Sequence, residues 1–227
     1  HRAYAALLAE LGIDCHVMPT DPALPDCCFI EATAVIWDGG GILTRMAARA
    51  RAREVAAVGE YFAHIGHRLE VMAAPATLDG GDVLRAGARI FVGRSGRTND
   101  AGVEALRLAA TRAGTEVIAV EVQRGLHLKS SATMLDAETV LSFGDTFDPK
   151  PFVEAGLEVV PCPEPWGANV LSLGEEVLVS AAAPRTAALL RGRGFETLTV
   201  DVSELHKGDG ALTCLSLRIP FASSWCV

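Results

Sequence analysis

The strongest constraint on the fold is a pattern that recurs along the chain: two short strands joined by a turn, then a helix, then one more strand. Four copies are visible, and their hairpins begin 36 to 51 residues apart. Repeats of this length are typical of arrays or rings of similar units. The predicted hairpins are Thr33–Arg45, Gly81–Ser95, Ala132–Phe143 and Ala168–Ser180; the helices are Ala47–Leu69, Asn99–Ala113, Lys150–Ala155 and Pro184–Gly192; the third strands are Leu69–Ala74, Glu116–Val122, Glu158–Pro161 and Thr197–Val202.

The two ends of the sequence carry incomplete units. A helix at His1–Gly12 and a strand at Ile13–Met18 have no hairpin before them, and a last strand at Thr213–Arg218 has no partner. Closure of a sheet array removes exposed sheet edges. The pattern therefore favours a closed, pseudo-fivefold ring of α/β units, and residues 1–227 would form this ring as one domain. A preceding segment, absent from this sequence, would supply the missing strand. The alternative is a two-layer α/β sandwich with coincidental spacing.

Composition restricts the partners of the chain. Half of the residues are hydrophobic and 21% are charged, as in ordinary globular domains. A formal net charge of −8 without a basic run argues against nucleic acid or an anionic membrane as the main partner. No apolar run is long enough to span a membrane. The six cysteines show no CxxC spacing, which indicates reduced thiols in the cytoplasm, and the scattered histidines predict no metal site.

Three reactive side chains fall at equivalent points of different units. Asp79, in the DGGD segment, precedes the second hairpin, His127 precedes the third, and Cys214 lies in the fifth unit. Equivalent points of a pseudosymmetric ring converge near its axis. A cysteine nucleophile needs a base and its substrate needs a charge partner. Each residue taken alone also has a structural explanation. Asp79 could hydrogen-bond its own backbone in a turn, and Cys214 could be a buried residue of the core.

Arginines occupy a second set of equivalent points, where helices begin. Arg97 ends the second hairpin, and Arg49, Arg51 and Arg53 open the helix of the first unit. A guanidinium group binds a carboxylate through two parallel hydrogen bonds, so these positions are candidates for holding an acidic substrate group. A solvated helix face is the alternative for most of the first-unit arginines.

Several motifs together resemble a known family. TLDGGDVL, VGRSGRTN, LHLKS, PRTAALL and KGDGALTCLSLR, within a resemblance that runs from about Ala3 to Arg218, are similar to those of bacterial dimethylarginine dimethylaminohydrolases, in the arginine deiminase and amidinotransferase superfamily. The resemblance implies a five-bladed α/β propeller with a further N-terminal strand and a substrate lid. It implies hydrolysis of asymmetric dimethylarginine or monomethylarginine to citrulline and dimethylamine or methylamine, without a cofactor. A homodimer is possible through the apolar helix faces.

The resemblance also implies roles for individual residues. Cys214 would be the nucleophile that forms a covalent thiouronium adduct, His127 the general acid and base, and Asp79 the carboxylate that holds the guanidinium. The substrate-binding positions that match the family are Asp26, Phe29, Glu31, Arg51, Arg97 and, through its main-chain carbonyl, Asp209.

One position departs from the family pattern. The family has Glu-Asp where this chain has Glu31-Ala32, and that aspartate contacts the guanidinium side of the substrate. Losing a charge-assisted hydrogen bond costs about 1.5–3 kcal/mol. Either the activity is weaker, or Asp26 or Glu31 compensates, or the substrate is a different arginine-like compound. A binding protein that has lost turnover is a further alternative, against which the intact Cys214, His127 and Asp79 argue.

Overall fold

A computed structural model describes residues 1–37 and 40–219. Within this part, the strands form four three-stranded sheets, none of them closed. In each sheet an antiparallel hairpin is extended by a third strand that runs parallel to the hairpin's second strand. The strands are β1 Ala34–Trp37, β2 Gly40–Leu43 and β3 Glu70–Val71; β4 Val83–Ala86, β5 Arg89–Arg94 and β6 Glu116–Glu121; β7 Ala132–Met134, β8 Thr139–Ser142 and β9 Glu158–Pro161; β10 Leu171–Ser172, β11 Glu176–Ser180 and β12 Glu196–Val200.

A helix connects the second and third strands of every sheet, as the sequence pattern predicts. Parallel neighbours need such a crossover because a tight turn can only join antiparallel strands. The helices are α1 Arg2–Glu10, α2 Ala52–His64, α3 Asp100–Thr111, α4 Lys150–Glu154, α5 Pro184–Gly192 and α6 Ser203–His206. No helix in the described part of the chain combines the length and the apolar character that crossing a membrane requires.

The second sheet shows how the sequence fixes one unit. The Asn99 side chain accepts hydrogen bonds from Gly102 N at 2.8 Å and from Thr77 N at 2.9 Å. It therefore caps α3 and ties the helix to the segment before β4. A Cβ on Gly102 would lie 2.0 Å from Thr77 O, so only glycine permits this approach. Gly87 has φ +60° in the two-residue turn between β4 and β5, a conformation that glycine adopts without strain.

Two predicted strands at the ends of the chain are wrong. Ile13–Met18 belongs to no strand, and Thr213–Leu215 is a 3-10 turn in which Cys214 N donates to Ala211 O at 3.1 Å. A strand exists only as part of a ladder, and no described segment pairs with either stretch. The short helix α6 was not predicted; Asp201 Oδ1 accepts from Ser203 N at 2.9 Å at its start.

The boundaries in the first unit also differ from the prediction. The predicted helix at Ala47–Leu69 is shorter, because a 3-10 turn at Arg49–Arg51 precedes α2 and the helix ends at His64. The third strand, predicted over Leu69–Ala74, is reduced to β3. The predicted turn between β1 and β2 lies outside the described residues.

Five 3-10 turns mark the equivalent points of the units. One precedes each of the four hairpins, and the fifth carries Cys214. The first turn contacts the second and the fifth, and the second contacts the third. The chain therefore brings segments far apart in sequence to one place, while the five-unit ring itself stays a prediction. These turns are Ile30–Thr33, Gly80–Asp82, Leu128–Ser130, Pro165–Gly167 and Thr213–Leu215.

The core between the second and third sheets is built around aromatic rings. Phe91 on β5 stacks on Phe152 of α4 with ring centroids 4.4 Å apart, and Phe147 meets Phe152 edge-on at 5.7 Å. Both Phe91 and Phe152 are fully buried. Because one ring joins elements of two units, its packing contributes to the stability of both.

We expect Phe152→Ala to lower the free energy of unfolding by about 3–5 kcal/mol, since it removes a buried ring and leaves a cavity. The neighbouring Val153 is 59% exposed, so Val153→Ala on the same short helix is the matched control and is expected to change stability by less than about 0.5 kcal/mol. Urea unfolding followed by circular dichroism measures both. Equal effects of the two substitutions would contradict this account of the core.

Candidate active site

Asp79 and His127 form a buried pair that joins two units. His127 Nε2 lies 3.1 Å from Asp79 Oδ2, and the side chains are 10% and 1% exposed. Each residue directly precedes a 3-10 turn, at Gly80–Asp82 and at Leu128–Ser130. The other carboxylate oxygen, Asp79 Oδ1, is buried and has no hydrogen-bond partner in the described structure. A carboxylate in this state is prepared to accept a donor from a ligand.

Two glycines allow this close assembly. A Cβ on Gly81 would lie 2.6 Å from His127 Nδ1, so the imidazole ring packs directly on the backbone there. A Cβ on Gly80 would lie 2.0 Å from the carbonyl oxygen of Glu31 in the neighbouring turn. The glycines of the DGGD segment are therefore required by close approach, and both of their φ values lie outside the left-handed region.

Hydrogen bonds from Asn169 to Thr213, the residue before Cys214, hold the cysteine turn in place. Asn169 Oδ1 accepts from Thr213 N at 2.9 Å, while Asn169 Nδ2 donates to Thr213 Oγ1 at 3.0 Å and to Lys129 O at 2.8 Å. Lys129 is two residues beyond His127, so Asn169 links the histidine segment to the cysteine segment. Cys214 itself is partly exposed. The structure thus places the half-buried cysteine on a fixed turn.

A buried ion pair lies beneath this turn. Lys129 Nζ donates to Glu31 Oε1 at 2.5 Å, and Thr213 Oγ1 donates to Glu31 Oε2 at 2.8 Å. Both Glu31 oxygens accept hydrogen bonds within the protein and the side chain is buried, so its charge is directed at Lys129. Burial lowers the pKa of Lys129, an effect that the charge of Glu31 opposes. Ala32, which follows Glu31, is buried and supplies no charge.

The Cys214 thiol is protonated in the free protein at neutral pH. Burial raises its pKa to about 11, the negative charge of Glu31 adds to this effect, and Lys129 opposes it. The thiolate is the nucleophilic form of cysteine. A cation bound beside Cys214 would favour that form by direct electrostatic attraction.

Arg51 uses its Nε and Nη2 donors within its own protein. Its side chain donates to both Glu54 carboxylate oxygens, at 2.7–3.1 Å, and Nη2 also donates to the carbonyl oxygens of Asp26, at 3.2 Å, and Phe29, at 2.9 Å. The structure brings these predicted site residues together, but in a different arrangement from the expected one. Arg51 holds the loop that carries Asp26 and Phe29, and its donors are directed at that loop and at Glu54.

The Phe29 ring connects this loop to the segment before Cys214. A Cβ on Gly210 would lie 2.1 Å from Phe29 Cε1, so the ring packs on the glycine backbone. Asp209, directly before Gly210, is exposed and has φ +57°, the only non-glycine residue with positive φ in the described chain. A non-glycine residue in this conformation is strained, which is often seen at functional sites.

Arg97 is partly exposed, and its guanidinium has no hydrogen-bond or ion-pair partner within residues 1–37 and 40–219. Its backbone N donates to Ser95 Oγ at 3.0 Å, which fixes the loop between β5 and α3. Of the two arginines expected to hold a carboxylate, Arg97 is the one whose whole guanidinium has no partner among the described residues.

Sequence reasoning missed a group of residues that support the site. Asp82, the last residue of DGGD, is one of them: its oxygens accept from Leu128 N, Ser95 Oγ and Thr98 Oγ1. Its position in DGGD was the available signal. Asn169 and Thr213 gave none, because their contacts join residues 44 apart. No group of three or more potential metal ligands occurs in the described residues.

A cavity of about 600 Å³ borders the same network. Its lining includes Glu31, Lys129 and Thr213 together with residues of β1, β4 and β7, but not Asp79, His127 or Cys214. The three residues that carry the reactive groups do not line this cavity, although their neighbours Gly80 and Thr213 do.

Known proteins of one family are similar to this chain. Residues 14–154 match the family model described as arginine deiminase, so the chain belongs to that class of guanidine-modifying proteins. A dimethylarginine dimethylaminohydrolase of Streptomyces coelicolor is 41% identical over 96% of this chain and 83% of its own length. The crystal structure of the Pseudomonas aeruginosa enzyme, a cysteine-to-serine mutant complexed with citrulline, superposes with a TM-score of 0.90 at 28% identity, covering 96% of this chain and 86% of that one. The chain belongs to the dimethylarginine dimethylaminohydrolase family, whose members are hydrolases acting on amidines.

We expect alkylation of Cys214 by iodoacetamide to be slow at pH 7 and to accelerate about tenfold per pH unit up to pH 10, because the thiolate fraction grows in that proportion below a pKa of about 11. Mass spectrometry of the peptide that carries Cys214 follows the rate, and Cys214→Ala gives the background. A rate that is already constant between pH 7 and pH 8 would contradict the raised pKa.

Proposed function

We propose that this protein hydrolyses asymmetric dimethylarginine or monomethylarginine to citrulline and dimethylamine or methylamine. The observation that carries the proposal is the buried Asp79–His127 pair, in which Asp79 Oδ1 has no donor among the described residues, on turns linked to the one that bears Cys214. A guanidinium cation supplies both the positive charge and the N–H donors that this carboxylate lacks.

The reaction proceeds in two stages. Asp79 anchors the guanidinium, whose charge favours the Cys214 thiolate, and His127 takes the thiol proton. The sulfur attacks the guanidinium carbon, the bond from this carbon to the methylated nitrogen breaks, and His127 gives a proton to the departing amine. A covalent thiouronium adduct on Cys214 remains. His127 then takes a proton from water, the resulting hydroxide attacks the same carbon, and the carbon–sulfur bond breaks to give citrulline and the free cysteine.

In this proposal the amino-acid end of the substrate lies toward the loop that carries Arg97, between β5 and α3. The free guanidinium of Arg97 binds the substrate carboxylate, and the main-chain carbonyl of Asp209 accepts from the α-amino group. Arg51 acts through the loop it holds, because its donors contact Glu54, Asp26 O and Phe29 O. Glu31 likewise supports the Cys214 turn through Thr213.

Ala32 favours a second candidate, hydrolysis of a different arginine-like guanidine by the same chemistry. Glu31 is not placed to replace the missing aspartate, because its charge is paired with Lys129 and its second oxygen is hydrogen-bonded to Thr213 in a buried network. Asp26 is held near Arg51 through its carbonyl. Asp79 is then the main negative charge for the guanidinium. An inactive binding protein is the remaining alternative.

We further propose that residues 1–227 form one domain, with the fifth 3-10 turn as part of a fifth propeller blade. The five turns at equivalent points support this reading. A cytoplasmic location is proposed from the five free cysteines found among the described residues, which suit a reducing compartment. A homodimer stays a prediction without a chosen surface.

We expect incubation with asymmetric dimethylarginine to release citrulline and dimethylamine in equal amounts, and Cys214→Ser to abolish both because the oxygen nucleophile is far weaker. Citrulline colorimetry and amine chromatography measure the products, and intact mass after acid quenching detects the adduct on Cys214. Monomethylarginine and arginine are assayed in parallel.

The results separate the candidates. Full turnover by Cys214→Ser would exclude the covalent scheme. No product from any of the three compounds, with the cysteine still labelled by a chloroacetamidine, would indicate a different guanidine substrate. Absence of both product and labelling would indicate a binding protein.

We expect Arg97→Ala to raise KM about ten- to a hundredfold with a smaller effect on kcat, since it removes a charged hydrogen-bond donor from the substrate carboxylate. Arg94 on the same segment pairs with Asp100 and Glu121 at the surface, so Arg94→Ala is the matched control and should leave KM unchanged. Steady-state kinetics measures both variants. An unchanged KM for Arg97→Ala would remove Arg97 from the site.

A further inference from the structure

Asp82, the second acidic residue of DGGD, is fully buried and its carboxylate accepts three hydrogen bonds from two other segments. Oδ1 accepts from Leu128 N at 2.9 Å, and Oδ2 accepts from Ser95 Oγ and Thr98 Oγ1, both at 2.6 Å. The carboxylate is fully buried and both of its oxygens already accept hydrogen bonds, so it is not placed to contact a ligand. The function of Asp82 must therefore lie in what it holds together.

One bond fixes the histidine segment. Leu128 directly follows His127, and its N–H is directed at Asp82 Oδ1 across 46 residues of sequence. A Cβ on Gly93 would lie 2.8 Å from this same oxygen and 2.9 Å from Leu128 Cβ. The contact is therefore tightly packed as well as hydrogen-bonded, which leaves the backbone beside His127 little freedom.

The other two hydrogen bonds fix the loop that carries Arg97. Ser95 Oγ accepts from Arg97 N at 3.0 Å and from Thr98 N at 3.3 Å, so its own hydrogen is left to donate to Asp82. Thr98 Oγ1 accepts from Asp79 N at 3.3 Å and donates to Asp82 in the same way. Both hydroxyls thus act as links between the Asp82 carboxylate and the backbone of Arg97 and Asp79.

We propose that Asp82 is a positioning residue that sets the spacing between Arg97, at the carboxylate end of the substrate, and His127, at the end where the bond breaks. This inference rests on the proposed function for the identity of those two ends. A single carboxylate can do this because its two oxygens point to the two segments. Asp82 would then help to select substrates of the right length, although Asp82 itself does not contact the substrate.

Neutralising Asp82 without changing its shape tests the proposal. In Asp82→Asn the amide nitrogen must face either Leu128 N or the two donating hydroxyls, so one set of bonds is lost. Ser95→Ala removes one of the two links to the loop that carries Arg97, at a half-buried position, and leaves the bond to Leu128 N in place. Asp148→Asn is the matched control, because Asp148 Oδ1 also accepts a backbone N–H, from Lys150 at 3.0 Å, far along the sequence from these segments.

The expected kinetics distinguish positioning from a general loss of structure. Misplacement of reacting groups by about 1 Å costs about a hundredfold in rate, so Asp82→Asn should lower kcat about that much and raise KM about tenfold. Ser95→Ala should raise KM about tenfold with kcat nearly unchanged. On an analogue without the α-carboxylate, the Ser95→Ala effect should disappear. The double variant should resemble Asp82→Asn, because Ser95 acts through Asp82.

An activity-independent measurement keeps the inference testable if the proposed substrate is wrong. In two-dimensional NMR spectra, Asp82→Asn should shift both the His127 ring signals and the Arg97 Nε–H signal, Ser95→Ala only the latter, and Asp148→Asn neither. Unshifted His127 and Arg97 signals in Asp82→Asn would overturn the positioning role. Full additivity of the two substitutions, or equal Ser95→Ala effects on substrates with and without the carboxylate, would overturn it as well.

Discussion

The buried ion pair between Glu31 and Lys129 is the interaction on which the arrangement of the site depends. Two charges removed from water are tolerated only when their remaining hydrogen-bonding capacity is satisfied. Here Thr213 takes the second Glu31 oxygen, and Asn169 joins Thr213 to the Lys129 carbonyl. The requirement to satisfy one buried pair therefore fixes the cysteine turn relative to the histidine turn, although the residues come from four separate parts of the chain.

Much of the fold was predictable because its signals are local. Apolar runs joined by short turns predicted the hairpins, and the helix pattern predicted α1 to α5. The strands at Ile13–Met18 and Thr213–Arg218 were wrong because a strand depends on a partner, which a short window of sequence does not contain.

The site divides in the same way. The equivalent positions of Asp79 and His127 predicted that they meet, and they do. Nothing in the sequence near Glu31 indicates that Lys129, 98 residues away, would occupy its carboxylate. The Arg51–Glu54 contact, by contrast, spans only three residues, and that spacing is a known helical pairing. Buried polar partners are chosen by the three-dimensional fold, so their identity is the part that sequence patterns leave open.

Asp79 Oδ1, which has no hydrogen-bond donor among residues 1–37 and 40–219, affects the stability of the whole protein. A buried acceptor without a donor costs about 1–3 kcal/mol, and this cost exists in the free state of the chain. Every molecule that folds without a ligand therefore gives up part of its attainable stability in order to keep that oxygen ready. At this single atom, selection for higher stability and selection for ligand binding therefore favour opposite outcomes.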